Sequence, residues 1–169
     1  MAPENRLNAL LDDCAYIFNN TTPTNTFTLS GLVPNATYDI YFYSHGGVTY
    51  YPGRFIIGGV VHDSIDQAFS STAGGDYALF VGVAADGNGA ITGEFCRADT
   101  SIAATIDGLQ IVGAFPRQHA DIVSLDINGY MPNTGDAAPV AGDTYSGAAQ
   151  IGAAGDYWNS ITVSDYTVS

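Results

Sequence analysis

Few side chains in this 169-residue chain are grouped in a way that could do chemistry. The most suggestive group is aromatic. Tyr41 and Tyr43 alternate in phase with Asp39, and Tyr50 and Tyr51 follow a short loop later. Flat rings beside a carboxylate are what a sugar-binding face needs, since the rings stack on apolar sugar faces and the polar groups orient the ligand. The same rings serve equally well to cover a sheet or fill a contact between subunits, where Tyr is enriched.

Asp86-Gly87-Asn88-Gly89 has the opening pattern of a calcium-binding loop, with Asp86 and Asn88 as ligands. The distal bidentate Glu of such a loop is missing, and Glu94 comes too early in the run. A tight turn in which Asn-Gly supplies positive φ accounts for the same four residues. Asn19, Asn20 and Asn35 each begin an N-x-S/T triplet. Neighbouring Asn19 and Asn20 do not readily both carry bulk, so Asn20 and Asn35 are the candidate glycan attachment points. Chance triplets in an Asn- and Thr-rich loop are the plain alternative. Cys14 and Cys96 are the only cysteines, and they are either one disulfide or two small buried hydrophobes. His45, His62 and His119 are scattered. The chain contains no G-x-S-x-G, no H-E-x-x-H and no phosphate-cradling glycine loop. With 17 acidic residues, any carboxylate pair chosen for glycoside hydrolysis would be arbitrary. The expectation is a protein without catalytic residues.

Composition narrows the partners. Charged residues are 12% of the chain, and 17 acids against 4 Arg give a formal net charge of -13. A polyanion such as nucleic acid is repelled and has no basic patch to hold it, and an anionic membrane surface is disfavoured for the same reason. No apolar run approaches the ~20 residues that span a bilayer. The first residues, MAPENRLNALLDD, lack the layout of a signal peptide. The absence of Lys favours an extracellular or cell-surface setting.

The elements that must position these residues are strands. The centre of the chain is FTLSGLVPNATYDIYFYS, Phe27 to Ser44, which reads as strand, turn, strand. Tyr38, Ile40 and Phe42 point to one face; Asp39, Tyr41 and Tyr43 point to the other. Cys14 to Phe18 is a short strand. Arg54 to His62 is a strand in which Gly58-Gly59 marks a bulge or close backbone approach. Asp76 to Ala84 and Ala90 to Cys96 are strands that pair as a hairpin across the DGNG turn. Ser101 to Phe115 gives one or two strands broken at Asp107-Gly108, and Asp121 to Asn128, Thr144 to Ile151 and Ser160 to Val168 give more. Leu7, Leu10 and Leu11 fall at helical spacing after Pro3, so residues 3 to 13 are expected to form one short helix. Short strands separated by turn residues, without a second helix, predict an all-β antiparallel sandwich.

The segments FTLSGLVPNATYDIYFYS, GRFIIGG, DYALFVGVAADGNGAITGEF and ATIDGLQIVG, taken in that order, resemble jelly-roll modules of large secreted bacterial surface proteins. Such modules are similar to galactose-binding and other carbohydrate-binding sandwiches, and the resemblance runs from about Leu7 to Ala114. It implies a jelly-roll-like topology, a capacity for glycans and a structural calcium. The turn Leu32-x-Pro34-x-x-x-Tyr38 also resembles the tyrosine corner of fibronectin type III domains.

The end of the chain resembles the same family's opening. IVSLDINGY, a loop, and TYSGAAQIGAAGDYWNSITV look like the first strands of a module, yet here they come last. An open sandwich cannot leave its core and strand edges bare in water, so other strands must complete it. The expected organisation is an incomplete body at 1–128, a linker at 129–143 and completing strands at 144–169. Those strands fold back in a permuted monomer, or they complete a neighbouring subunit in a head-to-tail homopolymer. The linker, extended, reaches up to ~50 Å. Tyr145, Ile151, Tyr157, Trp158, Ile161 and Val163 are the expected assembly residues. The functional expectation is a structural subunit of an extracellular filament; the alternative is a carbohydrate-binding module of a secreted adhesin or enzyme.

Overall fold

A computed structural model describes residues 15–18, 25–44, 51–64, 77–98, 103–113, 122–129 and 159–163, and these residues form an all-β architecture. The expected helix at 3–13 lies outside them, as do residues 130–158.

The two larger sheets share one core. The first has four strands, in the order β2 (Asn25–Leu29), β7 (Ile91–Arg97), β4 (Gly53–Ile57), β5 (Val60–Asp63), all antiparallel. The second has five, in the order β11 (Asn159–Val163), β10 (Ile122–Gly129), β9 (Gly108–Gly113), β3 (Thr37–Tyr43), β6 (Tyr77–Ala84). Its pairs are antiparallel except β10 with β11, which run parallel. A two-stranded pair, β1 (Ala15–Phe18) with β8 (Ala103–Ile106), lies beside them.

Alternation decides what faces inward. Tyr38, Ile40 and Phe42 of β3 are buried in the core, as the period of the strand requires. Phe42 stacks on Phe55 of the opposite sheet, with ring centroids 4.4 Å apart, and Phe55 stacks on Phe95 at 4.7 Å. Phe27 and Phe80 close on Phe42 from the two sheets at 5.1 and 6.0 Å. Burying one such ring is worth about 1.5–3 kcal/mol. This column of phenylalanines makes the sheets two layers of one sandwich.

Both expected hairpins prove to be arches. β2 pairs with β7, while β3 pairs with β6 and β9, so the chain crosses from one sheet to the other between Leu29 and Thr37. It crosses back between β6 and β7. The reason is visible at the turns, which bond to each other. The Leu32 amide donates to the Gly89 carbonyl (3.0 Å), Asn35 to Asp86 (3.2 Å) and Ala85 to Ala36 (2.9 Å). Alongside bonds within each arch, such as Ala36 to Val33 and Gly89 to Asp86, these contacts give each arch backbone partners on the other. The true tight hairpin is β4 to β5. Gly58 and Gly59 have φ of 58° and 81°, the two positive values that a two-residue turn of this hand requires, so the pair is a turn and no bulge.

A bulge does occur in β6. Tyr38 pairs with Val83 and Ile40 with Phe80, so Val81 and Gly82 together oppose Asp39. Gly82 adopts φ of 66°, a conformation that side chains rarely tolerate. The break at Asp107 is as expected: it separates β8 from β9, and its amide donates to the Tyr43 carbonyl at 2.9 Å.

Candidate functional site

The expected aromatic face is built on β3, and most of it is committed to the fold. Tyr43 is 1% exposed. Its hydroxyl donates to Gln110 Oε1 at 2.6 Å, and Gln110 Nε2 donates to Ser124 Oγ at 3.0 Å. The three residues form a buried polar line across β3, β9 and β10, on the side away from the phenylalanine core. Burial and a short hydrogen bond thus occupy the Tyr43 hydroxyl inside the fold.

Asp39, half-buried on the same strand, serves the bulge in β6. Its Oδ1 accepts the Gly82 amide at 2.8 Å and so satisfies the donor that the bulge exposes. Tyr41 remains half-buried beside it, with its ring 5.6 Å from that of Tyr77. Burial, and then the nearby Asp39 carboxylate, push its phenol above the usual range, so it stays a neutral donor and acceptor. Tyr51 sits elsewhere, its carbonyl accepting the Thr105 amide at 3.2 Å, and Tyr50 lies outside the described residues. Of the expected platform, the described residues group Asp39, Tyr41 and Tyr43 along β3, with the Tyr77 ring 5.6 and 5.8 Å from the two tyrosine rings.

A cluster of hydroxyls holds the far ends of β3, β4, β5 and β8. The Gly53 amide donates to Ser44 Oγ and Ser64 Oγ, each at 3.0 Å, and Ser44 Oγ lies 3.4 Å from Thr105 Oγ1. All three hydroxyl residues are fully buried. These bonds run among hydroxyls and from hydroxyls to backbone, so the cluster splices strand ends. A Cβ at Gly53 would strike Phe95, Ser44 and Phe55 at 3.0 Å or less, which is why Gly stands there.

The DGNG segment is a turn whose carboxylate serves its own backbone. Asp86 Oδ1 accepts the amides of Asn88 and Ala90, each at 2.8 Å. Those bonds, the one from Ala90 first, hold the Asp86 carboxyl below the ordinary range. Among the described residues no three His, Cys, Asp or Glu side chains group as a metal would need. Asn35 is exposed at the tip of the neighbouring arch with φ of 62°, and the Thr37 of its triplet is exposed too. Cys96 carries a free thiol, half-buried and pushed upward in pKa mainly by burial. Cys14, Asn20, Tyr145, Ile151, Tyr157 and Trp158 lie outside the described residues. Ile161 and Val163 pair by register with Ile127 and Gly129 in the parallel β11–β10 contact.

No protein-family model, curated protein or solved structure matches the chain.

One surface went unnoticed in the sequence. Val60, Val61 and Val81 are the exposed large hydrophobics among the described residues, at 54, 48 and 72%. All three lie on β5 and β6, each the outer described strand of its own sheet at the same side of the sandwich. Between them runs a groove of about 380 Å³ floored by Ile57 and Phe80, with His62 edge-on to Phe80 at 4.7 Å. Its lining contains no carboxylate. The only advance signal was a glycine inside an apolar strand, Val81-Gly82-Val83, which marks a bulge and hence an edge.

Opposite, Arg54 and Asp63 make a two-pronged ion pair with both contacts at 2.7 Å. The hydrogen bond to Asp63 raises the Arg54 pKa, and the pair bolts β5 to β4.

Proposed function

We propose that the chain is a structural β-sandwich subunit of an extracellular filament, joined head to tail through its C-terminal strand segment, with a jelly-roll-like topology. The observation that carries this reading is the position of β11. It is an outer strand held by β10 alone among the described strands, in parallel, beyond a connection of residues 130–158. A strand attached that way can be exchanged with a neighbour while every main-chain bond is remade, which is the logic of strand donation and domain swapping. The commitment of Tyr43, Asp39 and the buried hydroxyls to packing favours a structural role over a sugar platform.

The test is assembly of the native chain, followed by light scattering and electron microscopy over a range of concentrations. Regular filaments are expected. Removal of Thr144 to Ser169 should abolish them, and the free 144–169 peptide should restore binding to the truncated body. A single monomeric species at every concentration would sink the proposal.

A further inference from the structure

We propose that the acceptor in this assembly is the β5/β6 side of the sandwich, and that its occupant is the β11 edge of a second copy of this chain. The inference rests on the head-to-tail reading above and gives it a form without strand exchange, in which β11 keeps its place on β10 and its outer edge joins the next copy. Strand direction carries it. β6 and β9 run opposite to β3, β10 runs opposite to β9, and β11 runs with β10. β11 and β6 are thus the two outer strands of one sheet, and they point in opposite directions. When successive copies add along the sheet in the same orientation, β11 of one meets β6 of the next antiparallel. Antiparallel addition is the more stable kind and needs no rearrangement of either subunit. The rotation from copy to copy need not close, so the product is an open filament.

The chemistry of the surface fits that occupant. The exposed valines of the described residues gather here, on strand edges that a soluble monomer would be expected to blunt with charge. In a chain with net charge -13, the groove beside β6 is lined without a carboxylate. A carboxylate at this edge, that of Asp39, is engaged by the Gly82 amide, so two copies meet here with less repulsion than most of their surface would impose. The twist imposed by the Gly82 bulge confines the new ladder to the stretch around Leu79 to Val81.

The experiment uses the full chain with Val81→Glu, and separately Val60→Glu, beside wild type. Both sites are exposed, so the fold should persist by circular dichroism, and an added charge on an uncharged contact should raise the concentration for half-assembly at least about tenfold. A second measurement pairs Val81→Cys with Ser160→Cys or Thr162→Cys in a Cys14→Ser, Cys96→Ser background. Mild oxidation should give a ladder of disulfide-linked copies. Wild type that assembles, with neither glutamate variant shifted and no ladder, overturns this acceptor and leaves the head-to-tail reading intact. Wild type that never assembles overturns both.

Discussion

The amide of Val33 donates to the hydroxyl of Tyr38 across 2.8 Å, tying the arch between β2 and β3 to the strand that leaves it. Tyr38 is 1% exposed, so its ring belongs to the core while its hydroxyl serves the turn. This is the contact of a tyrosine corner, a phenol bonded back to the chain a few residues upstream. Tyr38→Phe keeps the ring and removes the acceptor from a partly buried amide. The expected loss is about 1–2 kcal/mol in denaturant unfolding, with an unchanged m-value. Stability equal to wild type would show that water replaces the phenol.

Gly89 is the point at which the two arches touch. Its φ is 75°, a Cβ there would strike the Leu32 carbonyl oxygen, and the Leu32 amide donates to the Gly89 carbonyl, which holds the two backbones at that distance. Gly89→Ala should cost at least about 2 kcal/mol. Gly87, two residues earlier in the same turn, has open space where its Cβ would stand. Gly87→Ala should therefore stay within about 0.5 kcal/mol of wild type. Similar losses for the two would mean that the arches do not interlock through Gly89.

The line Tyr43–Gln110–Ser124 should behave as one unit. Tyr43→Phe removes a donor to Gln110, and Gln110→Leu removes the groups that face both neighbours. In a double-mutant cycle the coupling should reach about 0.5–3 kcal/mol, since the residues share one buried network. Additive losses would show that the hydroxyl and the amide are satisfied independently.

Strand existence was legible from alternation alone: Tyr38, Ile40 and Phe42 face the core just as their spacing predicts, and the chain breaks at Asp107. Pairing was not. A period of two says which face a residue takes and nothing about which strand lies beside it, so Gly31 to Ala36 looked the same as a hairpin turn although it joins different sheets. Gly58-Gly59, read as a bulge or close backbone approach, is a turn, and the bulge lies at Gly82, for a related reason. Both are strand glycines with positive φ, and only the register distinguishes a turn from a bulge. The burial of Tyr43 was not legible because the cover over the outer face of β3 involves Gln110 and Ser124, which lie far away in sequence. The valine edge was hidden because edge position is a property of the sheet order.

The Asp86 turn makes a prediction about acid. Its carboxylate accepts the Ala90 and Asn88 amides, and these bonds depress its pKa below the ordinary value of 3.8. A carboxylate depressed in the folded state contributes stability that is fully present above its unfolded pKa and is lost as pH falls through the folded pKa. Wild type should therefore melt above Asp86→Ala at neutral pH, and the gap should narrow on acidification below about pH 4. The group is fully solvated, so the gap should be small. Glu94→Ala, at an exposed acid for which Asp86's pair of amide bonds has no counterpart here, gives the reference for general charge effects. A melting difference between wild type and Asp86→Ala that stays constant from neutral pH into strong acid would show that the turn is held by the backbone bonds of Leu32, Asn35 and Gly89 without help from the carboxylate.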